Sequence, residues 1–88
     1  MPSYLVETYL ARTQSQKRAA CERRARSAAK ELTHDRIRFV RSIYVPEDEI
    51  CFFVFDAPSG REAALAAQRA ALDPIRVVEA VSSRKEEL

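Results

Sequence analysis

Glu7 is the side chain in this sequence best placed to do chemistry. It stands in SYLVETYL, residues 3–10, a run of β-branched and aromatic residues that reads as a strand. Alternation puts Tyr4, Val6, Thr8 and Leu10 on one side of that strand, and Leu5, Glu7 and Tyr9 on the other. A partly buried carboxylate between Leu5 and Tyr9 needs a partner, or its pKa rises. Two roles fit: an acid facing a ligand or metal in a cavity, or half of an ion pair, with Arg41 the first partner to consider. Tyr9 and Tyr44 bring hydroxyls that such a cavity would use, and Phe53 an aromatic wall. Glu7, Tyr9, Tyr44 and Phe53 are therefore the candidate ligand-binding residues. None is assigned a catalytic or metal-binding role.

The remaining reactive side chains point to less. His34 is the single histidine and lies beside Asp35 in a polar stretch, where an exposed surface role is expected. Cys21 and Cys51 stand thirty positions apart and form no CxxC pair, so two buried free thiols are expected rather than a disulfide or metal site. Cys51 has apolar neighbours on both sides and reads as an inert core thiol. The one glycine, Gly60, excludes a glycine-rich phosphate loop, and no HExxH or GxSxG motif occurs.

The elements that must position these residues are well marked. After the first strand, Thr13 or Ser15 is expected to cap a helix running to about Leu32. Cys21, Ala25, Ala28, Ala29 and Leu32 form its apolar stripe, with Arg23, Arg26 and Lys30 opposite. Arg36 to Val45 reads as an edge strand whose arginines at 36, 38 and 41 discourage strand addition. Pro46 to Glu49 makes a hairpin turn, and Ile50 to Phe55 a second, wholly apolar strand. Ser59 and Glu62 have capping-box spacing, opening an alanine-rich helix that Asp73-Pro74 ends. Ile75 to Val81 is the last strand. Residues 1–82 form one domain, and 83–88 a charged tail.

The order β-α-β-β-α-β predicts an α+β, ferredoxin-like fold: a four-stranded antiparallel sheet, first and third strands central, two helices on one face. ICFFVF (50–55) then lies in a central strand with no polar residue on either side. Phe52 with Val54, or else Cys51 with Phe53 and Phe55, would be left facing water. A second copy of the sheet covering them is the simplest solution, in a dimeric α/β-barrel-like assembly. Phe53→Asp is expected to weaken that homodimer.

Charge is unevenly spread. Arg12 to Arg41 carries ten Lys and Arg against Glu22, Glu31 and Asp35, a local +7, while Ser42 to Leu88 has five basic and nine acidic residues, a local −4. The basic ridge lacks interleaved aromatics and occupies the solvent side of an amphipathic helix, so nucleic acid is not expected as a partner. No stretch has the ~20 apolar residues of a membrane span, and Pro2-Ser3 leads directly into a strand without a signal-peptide pattern; a cytoplasmic protein is expected.

Three segments together, MPSYLVETYL, RFVRSIYVPEDEICFFVFDAP and IRVVEAV, carry a family likeness. The chain resembles, over nearly its whole length, a small bacterial family of ferredoxin-like proteins common in actinomycetes, mainly of unknown function, with some members described as nickel-binding or nickel-responsive. The most specific matches are the M-P-x-Y/F-L-V-E opening, here ending in Glu7, the W/F-V-x-S-Y/I-V strand, Phe39 to Val45, and the C-x-Y/F-x-x-D/E-A-P run, Cys51 to Pro58. The resemblance implies a homodimer, with nickel as the one possible cofactor. Phe39 stands where members often have Trp, and EAALAAQRAALDP lacks the helical His that many carry, so no metal ligand is transferred. Three classes of function remain: a homodimeric small-ligand or metal-binding protein with a degraded metal site, a small dimeric α/β-barrel enzyme of isomerase, cyclase or oxygenase type, and a non-catalytic interaction module.

Overall fold

Alternating side chains make β1 (Ser3–Tyr9) amphipathic, with Val6 and Thr8 buried on one side while Leu5 and Glu7 are half-buried on the other. A 3₁₀ turn (Arg12–Gln14) leads into α1 (Lys17–Glu31), and β2 (Arg38–Val45) and β3 (Ile50–Asp56) form a hairpin. Then come α2 (Gly60–Arg69) and β4 (Arg76–Ala80). The computed structural model describes residues 1–32, 34 and 36–82. The strand order is β2-β3-β1-β4, antiparallel throughout, with β3 and β1 central as the ferredoxin-like order requires. The charged tail, 83–88, lies outside the described residues.

The core forms between the sheet and the two helices. Val6, Cys51, Phe53 and Phe55 are fully buried there, and Phe39 meets Phe55 edge-on at 5.4 Å between ring centroids. The helices contribute small residues: Ala25, Ala28 and Ala29 from α1, and Ala63, Ala66 and Ala67 from α2. Cys21 and Leu32 complete the α1 stripe as partly buried neighbours of the core. Without side-chain bulk on these faces, the helices lie close enough to the sheet for its aromatics to fill the layer between.

Local chemistry explains where the boundaries differ from expectation. Gln16, the residue before α1, already has helical angles (φ −65°, ψ −18°), so neither Thr13 nor Ser15 serves as the extended cap a hydroxyl requires. Arg36 sits in the left-handed region at φ 57°, so β2 starts at Arg38 rather than Arg36. Ser59 is the N-cap of α2, but its hydroxyl bonds the Glu62 carboxylate instead of a backbone amide. The helix ends in a Schellman turn: the Leu72 amide donates to Ala67 O at 3.0 Å and the Ala71 amide to Gln68 O at 3.0 Å. Ala71, at φ 57°, occupies the position in that turn that glycine favours. Arg24 of α1 reaches over and donates to Ala70 O at 2.8 Å, placing a cation on the free carbonyls of α2.

Among the described residues, no helix is long and apolar enough to cross a membrane.

Candidate functional site

The helix-free face of the sheet is built from alternate residues of all four strands. Register sets four side chains in one row: Ile43, Phe52, Glu7 and Arg76, from β2, β3, β1 and β4 in turn. The next row holds Arg41, Val54, Leu5 and Val78, and a third Arg38, Asp56, Ser3 and Ala80. Residues two apart on a strand share a face, so these rows form one surface. Its middle is apolar, and Ile43 remains 44% exposed.

Most charges on this face are neutralised in place. Glu7 accepts from Arg76 Nε at 2.7 Å, the carboxylate side chain 17% exposed and the guanidinium 65%. The partner of Glu7 is thus Arg76, its cross-strand neighbour, and not Arg41. Asp56 accepts from the Ser3 hydroxyl and from Arg38, each at 2.7 Å. Burial pushes the Asp56 carboxyl up, but those two hydrogen bonds together with the charges of Arg38 and the N-terminus outweigh it and hold the group below its ordinary value. Arg41 differs: among the described residues it forms no hydrogen bond and no ion pair. It lines a depression of about 420 Å³, floored by Leu5, Val40, Val54 and Ala80.

The four residues predicted to share a pocket divide between the two faces. Glu7 and Tyr9 lie on the helix-free face, and the Tyr9 hydroxyl donates to Glu49 Oε1 at 3.1 Å, away from Glu7. That bond and the charge of Glu49 raise the Tyr9 pKa, while the Arg12 amide and the Tyr9 hydroxyl lower that of Glu49. Tyr44 and Phe53 point to the helices instead: Tyr44 donates to Leu10 O at 2.8 Å, and Phe53 is 1% exposed. Two features cause the division. The residue opposite Glu7 on β3 is Phe52, so Phe53 turns inward. A bulge between Phe39 and Arg41 reverses the alternation of β2, sending Arg38, Arg41 and Ile43 outward and Phe39, Ser42 and Tyr44 inward. The apolar side chains left on the outer face of β3 are accordingly Ile50, Phe52 and Val54, and Phe53→Asp would strike the core.

A second polar group, missed from sequence, lies between α1 and β2. Arg18 Nε donates to Ser42 Oγ at 2.8 Å and its Nη2 to Ser42 O at 3.2 Å, while the Ser42 hydroxyl bonds Glu22. The Arg18 guanidinium also sits 5.9 Å from the Tyr44 ring centroid. Its members satisfy one another, and no buried side-chain polar atom is left without a partner among the described residues. This cluster pins α1 to the sheet and leaves no group free to react. The signal for it in the sequence was Ser42, a polar residue whose inward position depends on the bulge.

Metal donors are scattered. His34 is exposed beyond α1, and Cys51 is fully buried, its thiol pushed up to about 11 by desolvation, far from the thiolate a metal or nucleophilic role needs. Among the described residues of one chain no three His, Cys, Asp or Glu side chains converge on a point. Both cysteines are free, Cys51 buried and Cys21 half-buried.

Compared with known proteins, the chain matches no family model, no curated protein and no solved structure.

Proposed function

We propose that the protein is a cytoplasmic, homodimeric small-ligand-binding protein whose two copies meet through the helix-free faces of their sheets, as in a dimeric α/β-barrel. The observation that carries this reading is the composition of that face. Leu5, Ile43, Phe52, Val54 and Val78 make an apolar band across four strands, with Ile43 exposed, Leu5, Phe52 and Val78 partly exposed and Val54 already buried. Glu7 with Arg76, and Asp56 with Arg38, flank it as pairs already closed within the chain. A second copy burying this surface would remove the apolar band from water without stranding those charges, which is the usual cost of covering ionised groups. A two-fold axis makes such a face its own complement.

Binding is favoured over catalysis by the state of the acids. Glu7 and Asp56 are each occupied by an arginine, and the Cys51 thiol is held protonated by burial. Sedimentation equilibrium of the untagged chain tests the assembly: twice the chain mass is expected at micromolar concentration, and a single monomeric species would overturn it. A dimer whose interface is dry and takes up no small molecule would instead make the protein an interaction module.

A further inference from the structure

We infer that the depression beside Arg41 binds a small organic carboxylate, its apolar body on the sheet and its charged end on the Arg41 guanidinium. The inference deepens the proposed function and rests on the reading that a second copy covers this face. Three observations carry it. Arg41 alone of the three arginines on the face has no partner among the described residues, since Arg38 is held by Asp56 and Arg76 by Glu7. An unpaired guanidinium is tolerable in water and unfavourable once covered, so closure of the face calls for an anion at this position. The space next to it, about 420 Å³, is floored by Leu5, Val40, Val54 and Ala80, and lies within the usual range for small-molecule sites.

The chemistry of the lining selects the class of ligand. A planar guanidinium takes a carboxylate through two parallel N–H···O bonds. An inorganic oxyanion would leave the apolar floor uncovered, whereas a ring or short alkyl chain would bury it. A cationic ligand finds no free acid, because the Asp56 oxygens already accept from Ser3 and Arg38. Ser82 in the lining supplies a hydroxyl for a second polar group on the ligand, and the Ser3 oxygen, whose proton goes to Asp56, can still accept.

Titration calorimetry of the full chain with benzoate and hexanoate, and with the neutral benzamide and hexanamide, tests this. Both acids are expected to bind, and both amides at least tenfold more weakly. Arg41→Gln is expected to lose at least tenfold in acid affinity while remaining folded by circular dichroism and dimeric by sedimentation. Arg41→Lys should keep part of the affinity, as a charge without the planar fork. Equal binding of acids and amides, undiminished binding by Arg41→Gln, or no binding by the wild-type chain would each overturn the inference. A wild-type chain that binds no acid and becomes monomeric on Arg41→Gln would show that a carboxylate of the second copy is the anion. A monomeric wild type that binds acids through Arg41 would uphold the site and overturn only the assembly.

Discussion

Phe52 and Phe53 are adjacent, chemically identical and predicted to fail in opposite ways. Phe53 is 1% exposed and packs near Phe39, their ring centroids 6.3 Å apart, so Phe53→Ala opens a cavity in the core of each chain. Substitutions of this kind cost about 3–5 kcal/mol, and the loss should not depend on protein concentration. Phe52 is half-buried on the other face. A phenylalanine side chain presents on the order of 200 Å², so with about a quarter of it exposed roughly 50 Å² is still open to water. Covering that area at ~25 cal/mol per Å² contributes about 1.2 kcal/mol per chain. Alanine retains a fraction of this, leaving a loss of about 2 kcal/mol per dimer, roughly one and a half decades in Kd. Urea denaturation and sedimentation of both variants across a hundredfold range of concentration would separate the effects. Phe53→Ala should shift the midpoint equally at all concentrations. Phe52→Ala should dissociate at concentrations where wild type is paired. Refutation would be a Phe52→Ala dimer as tight as wild type, or a Phe53→Ala chain of undiminished stability.

Other outcomes follow from single contacts. Glu7→Gln breaks the pair with Arg76, but that guanidinium is 65% exposed, so a monomeric chain should lose no more than about 1 kcal/mol in urea melts; a loss of several would mean that Arg76 is buried in solution. Ala71→Gly removes the strain of a left-handed alanine at φ 57°, and should raise stability by about 0.5–1 kcal/mol despite the freer unfolded chain, read as a higher denaturation midpoint. Asp56 has a folded pKa below its ordinary 3.8, so its contribution is present above that value and is lost as pH falls through the folded pKa. Stability measured from pH 7 down to pH 2.5 should therefore decline less steeply at its acid end in Asp56→Asn than in wild type.

The outcome for Glu7 shows how far local reading extends. Its strand, its face and its need for a partner follow from SYLVETYL alone, because alternation is a property of any extended chain. The identity of that partner does not. Arg76 lies 69 residues further on and reaches Glu7 only because β4 pairs with β1 in one particular register. Arg41 was the first candidate from sequence, yet β3 separates its strand from β1. The Arg38 and Arg41 spacing did hold a clue to the bulge: two arginines three apart cannot both face outward on a regular strand, and Phe39 between them must face inward.

The sequence by itself determined the order of elements, the two central strands, the start of α2 at Ser59 and the half-wet face of β1. Each of these rests on period, steric restriction or turn chemistry within a few residues. Tertiary structure alone decided which phenylalanine of ICFFVF faces out, that Tyr44 turns away from Glu7, and that Arg41 has no partner among the described residues. ICFFVF is apolar on both faces, so neither orientation of that strand violates hydrophobic patterning. The choice is made by hydrogen-bonded pairing with β1 and with the bulged β2, and a shift of one residue in that pairing would exchange every side chain between core and surface.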